Sequence, residues 1–200
     1  MATVFGVLLA LATVAHADPD TGDDDGDYSH HTFKKQHRHD GIIRVDCDAG
    51  QTLTKALEIA KPGATISVEG TCTELVTIMT DSLTLDGGGT AIIDGGGGGP
   101  EATSAITIDG ARNIKITGFI VQHSPGAGVW GQRASMFAVR NTIVQDNALT
   151  GIGVVENSAA EIADCSVTGG TSGIAASGSS NAILSGQISA SSTSFGGIVA

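Results

Sequence analysis

Acidic residues recur at matching points of a repeating apolar pattern, and they are the first candidates for chemistry. Glu69, Asp86 and Asp109 each stand three residues after an aliphatic residue that opens a repeat. If the repeats stack about 4.8 Å apart as parallel strands, these carboxylates form an outward ladder of like charges. Such a ladder either shares protons or binds a cation such as Ca²⁺. The pattern predicts a metal site at Glu69, Asp86 and Asp109, with Asp86 and Asp109 as candidate catalytic carboxylates.

The chemistry of this ladder has three alternatives that the sequence leaves open. In a glycoside hydrolase, one carboxylate acts as acid and the other as base or nucleophile. In a polysaccharide lyase, a bound cation acidifies the proton beside a uronate carboxylate. In the structural alternative, Asp86-Gly87 and Asp109-Gly110 are Asp–Gly pairs that only form tight turns at strand ends.

A second set of candidates lies next to the ladder. Gln132 occupies the ladder position one repeat after Asp109, and Trp130 and Arg133 stand beside it. An exposed indole presents an apolar face and a polar edge, which suits a sugar ring. We therefore expect Trp130, Gln132 and Arg133 to bind substrate, although Trp130 could equally pack against a surface loop. His123, the sole histidine of the repeats, is either a general base or a polar turn residue.

The elements that position these residues follow from the repeat. "GIGVVENSAAEIADCSVTGGTS" is followed at once by "GIAASGSSNAILSGQISASSTS", which has equal length and the same rhythm. Extending the alignment upstream gives one opening aliphatic residue per repeat, at intervals of 22 or 23 residues: Leu83, Ile106, Val129, Ile152 and Ile174. Each repeat offers three short apolar strands separated by turn-forming residues. A period in this range indicates a repeat architecture, so we expect an all-β parallel coil with about six turns of 22–24 residues.

One helix is expected ahead of the coils. Thr52 is a plausible N-cap, Leu53 and Ala56 share a face, and Pro62 and Gly63 end the helix. We expect it to cover the open end of the first coil. Cys47 and Cys72 flank it, and in an oxidising compartment they are expected to form a disulfide.

These segments resemble a known family. "VDCDAGQTLTKALEIAKPGATISVEGTCTELVTI" is similar to the N-terminal cap and first coil of secreted bacterial right-handed parallel β-helix proteins of the pectin-lyase-like superfamily. "LTLDGGGTAIIDGGG" and "AITIDGARNIKITGFIVQ" look like the coils that follow. The resemblance covers roughly residues 41–200 and implies a right-handed β-helix. This fold carries lyases, hydrolases, epimerases, adhesins and structural proteins, and no Gly-His-Gly or coil Asp-Asp pair assigns this chain to an enzyme branch.

The N-terminal region predicts export. Residues 1–17 form an apolar run ending in Ala15-His16-Ala17, which is typical of a signal peptide. Residues 18–40 are rich in Asp and His, and we expect a disordered linker, with metal capture as the alternative. The β-helix domain spans 41–200. It either continues beyond Ala200 in a longer protein or pairs end to end with a second copy.

Charge and composition narrow the function. The net charge of −11 argues against nucleic acid, because no basic stripe is present, and no run is long enough to span a membrane in the mature protein. The sequence favours a secreted protein that binds or acts on extracellular polysaccharide, with calcium as a candidate cofactor. If it is an enzyme, it is a polysaccharide lyase or glycoside hydrolase. A non-catalytic structural or adhesin-like scaffold is the alternative.

Overall fold

The protein is described by a computed structural model that covers residues 41–96, 103–192, 194 and 196–199. The predicted signal peptide (1–17) and linker (18–40) lie outside the described residues. The elements in chain order are β1 (Ile42–Asp46), α1 (Leu53–Ile59), β2 (Thr65–Glu69), β3 (Thr71–Thr73), β4 (Val76–Ile78), β5 (Thr84–Asp94), β6 (Ile106–Asp109), β7 (Ile114–Gln122), β8 (Val129–Gln132), β9 (Met136–Arg140), β10 (Ile143–Gln145), β11 (Thr150–Val154), β12 (Ala159–Thr168), β13 (Ser172–Ala176), β14 (Asn181–Ala190) and β15 (Ile198–Val199).

The strands coil into a parallel β-solenoid of about seven turns, one more than the sequence predicts. A nine-stranded sheet runs in the order β1-β2-β5-β7-β10-β12-β14, with β3 paired to β5 and β9 paired to β7 and β12. A six-stranded sheet runs in the order β15-β13-β11-β8-β6-β4. Each strand pairs with strands one turn before and after it, so side chains of equal register form rows along the solenoid.

The repeat alignment is confirmed from Ile106 onwards. Ile106 pairs with Val129, Val129 with Ile152, and Ile152 with Ile174. In the nine-stranded sheet, Ile114 pairs with Phe137 and Ala160 with Ala182, as the fixed offsets predict. In this part of the solenoid, paired residues are 22 or 23 positions apart in the sequence.

The alignment of Leu83 with Ile106 is wrong, because Ile106 pairs with Val76 instead. Two insertions lengthen this turn. Residues 87–90 stand opposite Gly118 alone, which shifts the register of β5 against β7. Residues 95–105 then connect β5 to β6, whereas the next turn needs only residues 123–128. The sequence period is therefore lost where extra glycine-rich residues enter a turn without changing the strands on either side.

The interior is a column of stacked aliphatic side chains. Alternating residues of each strand point inward, as in β7, where Ile114 and Ile116 are fully buried between the exposed Lys115 and the half-buried Thr117. The same alternation buries Ile93, Val139 and Ile162. Burial of apolar area at about 25 cal/mol per Å² stabilises such a column. Phe119 and Phe137 are the aromatic residues of the described core.

The helix and the disulfide lie together at the first turns. Thr52 is the N-cap and accepts a hydrogen bond from the Lys55 amide, as predicted. Cys47 and Cys72 form the predicted disulfide, with Cα atoms 5.1 Å apart. That α1 covers the end of the coil stays a prediction, since β1 is the outermost strand of the nine-stranded sheet there. Within the described part of the chain, no helix could cross a membrane.

Candidate functional site

A groove crosses the outer face of the six-stranded sheet. Thr77, Thr107, Trp130 and Gly153 form one row across β4, β6, β8 and β11. The groove has a volume of about 490 Å³. Its lining brings together three residues of the row and three polar residues beside it: Thr77, Thr107 and Trp130, with Asp109, Gln132 and Arg133. The three residues predicted to bind substrate therefore lie in one groove with Asp109.

Trp130 is held in a defined orientation. Its indole Nε1 donates a hydrogen bond to Gln132 Oε1 at 3.2 Å. Its ring lies over Gly153, since a Cβ placed on Gly153 would stand 2.2 Å from ring atom Cε3. The missing side chain of Gly153 thus makes room for the ring beside the sheet, where it stays half-buried. The indole offers a fixed apolar surface in the groove without having to reorganise.

Asp109 and Arg133 form an ion pair next to this ring. Arg133 Nε lies 2.7 Å from Asp109 Oδ1, and the side chains are 65% and 13% exposed. Oδ1 is buried, and Arg133 is its charge partner. Arg133 has a left-handed backbone with φ of 56°, and its amide donates to Glu156 Oε2. The site therefore combines an exposed guanidinium with a largely buried carboxylate in the groove.

The predicted carboxylate ladder is wrong. Asp86 pairs with Ser67 and Thr117 in the nine-stranded sheet, whereas Asp109 pairs with Gln132 in the six-stranded sheet. Glu69 pairs with Asp46 and does not align with either aspartate. The insertions after Asp86 break the period on which the ladder depended. The structure thus assembles neither the three-carboxylate calcium site nor the catalytic pair of Asp86 and Asp109.

Asp86 has the structural role that the sequence left open. Its Oδ1 accepts a hydrogen bond from the Gly88 amide at 2.9 Å, as in an Asx turn. Among the described residues, the one group close enough to hold a metal ion is Cys47, Cys72 and Glu74. Both cysteines are already joined in the disulfide, so this group offers no metal site.

Comparison with known proteins agrees with the strand pairing. Residues 104–198 match the family model described as the right-handed beta helix region. The fold is a right-handed parallel β-helix. Among solved structures, the β-helix protein is similar to an alginate lyase from Paenibacillus sp. str. FPU-7, with 17% sequence identity and a TM-score of 0.47. The similarity covers 74% of this chain and 57% of the lyase. None of the curated proteins matches the chain at a significant level.

A second polar cluster of the β-helix protein was not predicted from the sequence. His123 Nδ1 lies 2.8 Å from Asp94 Oδ2, and Gln122 Nε2 donates to the same oxygen at 3.0 Å. The Gly96 amide donates to Asp94 Oδ1. Burial by itself raises the pKa of Asp94, but the hydrogen bonds from Gln122, Gly96 and His123 and the charge of His123 lower it overall. The contact directs Nδ1 of His123 at Asp94.

This cluster lies at the carboxyl ends of strands in the nine-stranded sheet. Asp94 pairs with Gln122, which pairs with Gln145, whose amide donates to Gln122 Oε1 at 3.1 Å. The sequence left His123 as either a general base or a polar turn residue and gave Asp94 no role beyond the coil, because the insertion between β5 and β6 hid their proximity. The signal that could have found them is the shared position directly after an aliphatic strand in "AIID" and "FIVQH".

Proposed function

We propose that this β-helix protein binds a polysaccharide in the groove of the six-stranded sheet, with Trp130 as the platform for a sugar ring. One observation carries the proposal: the half-buried indole is fixed by Gln132 and Gly153 inside a groove that crosses several turns. Aromatic faces bind the apolar faces of sugars, and the polar edge satisfies nearby hydrogen bonds. A preformed platform also avoids much of the entropy cost of ordering side chains on binding.

The neighbouring polar residues suit hydroxyl or carboxylate recognition. Asp109 Oδ1 could accept a hydrogen bond from a sugar hydroxyl if the exposed Arg133 side chain moved away from it. Arg133 would then be free to bind a carboxylate or a ring oxygen. The row from Thr77 to Gly153 spans three turn-to-turn steps, or roughly 14 Å, so a bound chain would run along the solenoid axis.

The residues of the groove support binding of a polysaccharide without its hydrolysis. Glycoside hydrolysis uses two carboxyl groups that flank the scissile bond. Among the described residues lining the groove, Asp109 is the carboxylate, and it faces Arg133. The polysaccharide-lyase alternative remains testable through its product.

A non-catalytic scaffold or adhesin-like role is the second candidate. It is favoured by the tight connections next to the groove, where Arg133-Ala134 and Glu156-Asn157 turn the chain with left-handed residue pairs. Long groove-forming loops would be expected of many enzymes. The last described turn also leaves Leu184 and Ile188 only partly buried. Pairing with a second copy there is a prediction, which light scattering tests: a monodisperse monomer would refute it.

Secretion is part of the proposal. The Cys47–Cys72 disulfide is of a kind that persists in oxidising compartments, which is where extracellular polysaccharide is found. N-terminal sequencing of the protein recovered from the culture medium should start at Asp18. Protein retained in cells with Met1 intact would contradict it.

Affinity electrophoresis against a panel of uronate and neutral polysaccharides tests the function. We expect retardation by at least one polysaccharide, which Trp130→Ala abolishes and Asp86→Asn leaves unchanged, since Asp86 lies in the other sheet. Asp109→Asn should weaken retardation. The same polysaccharides are incubated with calcium or chelator while unsaturated products and reducing ends are followed. Unsaturated ends would indicate a lyase, and retardation insensitive to Trp130→Ala would contradict the proposal.

A further inference from the structure

A second cavity adjoins the groove at Thr77. It has a volume of about 450 Å³, and Thr77 lines both it and the groove. Four of its lining residues are apolar, and the others are threonines and Glu58. We call this cavity the apolar pocket. Its apolar lining comes from α1, from both ends of β4 and from the turn before β5: Leu57, Leu75, Met79 and Leu83. A polysaccharide that lies along Trp130, Thr107 and Thr77 would therefore place its next sugar beside the apolar pocket.

The helix that forms one wall of the apolar pocket is firmly held. The carboxylate of Glu74 accepts hydrogen bonds from the Leu53 amide at 2.6 Å and from the Thr54 amide at 3.0 Å. Two residues earlier, Cys72 is joined to Cys47 by the disulfide. Leu53 and Ala56 anchor the buried side of the helix in the core. The wall is thus preorganised, which reduces the entropy cost of binding against it.

The apolar pocket leaves aliphatic surface in contact with water. Met79 is 72% exposed and Leu75 is 39% exposed, while Leu83 forms a fully buried floor. Methionine is flexible and adapts its shape to a bound apolar group. The charged residue of the lining is Glu58, and a carboxylate there disfavours a second carboxylate. The exposed apolar side chains therefore suit an uncharged apolar group.

We propose that the apolar pocket binds an O-acyl substituent, such as an acetyl ester, on the polysaccharide whose backbone lies over Trp130. This inference rests on the proposed function and adds a preference for acylated chains to it. The shared residue Thr77 provides the continuity between the sugar platform and the pocket. In this arrangement, α1 serves as a wall of the binding groove.

The test compares one backbone with and without its esters. Acetylated xylan and acetylated glucomannan are each divided, and one half is deacetylated with mild alkali. Affinity electrophoresis then gives the dissociation constants of both forms. Burying one methyl group from water strengthens binding about fourfold, so wild type should bind the acetylated form at least that much more tightly. The double variant Leu75→Ser and Met79→Ser should bind both forms equally, with the affinity for the deacetylated form unchanged.

A matched control and a groove variant separate the outcomes. Met136 is 50% exposed in the nine-stranded sheet, and Met136→Ser should keep the preference for the acetylated form. Trp130→Ala should bind neither the acetylated nor the deacetylated form. Equal binding of both forms by wild type, or a preference that survives Leu75→Ser and Met79→Ser, overturns the acyl pocket alone. If wild type binds neither form and no member of the wider panel, the groove and the pocket are both overturned.

Discussion

Replacement of Gly153 by alanine tests the seating of Trp130 on the sheet. The new Cβ would stand 2.2 Å from ring atom Cε3 and 2.3 Å from Cζ3, so the indole must move. Gly153 lies in β11, and its φ is outside the left-handed region, so alanine itself fits the backbone. Overpacking of this kind costs about 1–3 kcal/mol. We expect Gly153→Ala to lower the free energy of unfolding by that amount and to weaken polysaccharide binding.

The Trp130→Ala background isolates the clash. Without the ring, Gly153→Ala meets no obstacle and should be neutral or stabilise by about 0.4–1 kcal/mol through the unfolded chain. Urea unfolding followed by far-UV circular dichroism measures all four proteins, since Trp130→Ala removes the one tryptophan. The double-mutant cycle should give a coupling of at least about 1 kcal/mol. Equal costs of Gly153→Ala in both backgrounds would refute the described packing of Trp130.

Two further predictions concern stability. Loss of the disulfide in Cys47→Ser with Cys72→Ser should lower the free energy of unfolding by roughly 3.5 kcal/mol for a separation of 25 residues, and a urea midpoint insensitive to reductant would contradict this. The folded-state pKa of Asp94 lies below its ordinary value, so its stabilisation is complete above about pH 4 and is lost as pH falls through the folded pKa. Asp94→Asn should flatten the fall in stability below about pH 4, and an unchanged acid profile would contradict the cluster around Asp94.

The sequence predicted the fold well because inward positions tolerate only aliphatic residues. Rows such as Ile106, Val129, Ile152 and Ile174 keep their spacing, since every strand must bury the same face against the turns beside it. Outward positions carry no such constraint, which is why the rhythm repeats while the residues differ. Cys47 and Cys72 were also predictable, from their positions on either side of the helix.

The candidate site was predictable only in part. Trp130, Gln132 and Arg133 are close in sequence, so their proximity did not depend on the register between turns. Asp86 and Asp109 are separated by the two insertions, and a shift of one strand position changes which residues align. Glycine-rich turns can gain residues without disturbing the core, so the sequence period alone could not reveal the shift. The same insertions concealed the contact between Asp94 and His123.

Fluorescence titration with polysaccharides tests the central claim most directly, because Trp130 is the one tryptophan of the chain. Each polysaccharide of the panel is added to the protein while the emission and its quenching by acrylamide are followed. A sugar ring stacked on the indole should shift the emission and protect it from acrylamide in a saturable manner. Binding detected by electrophoresis without any change in emission or quenching would contradict the assignment of Trp130 as the platform.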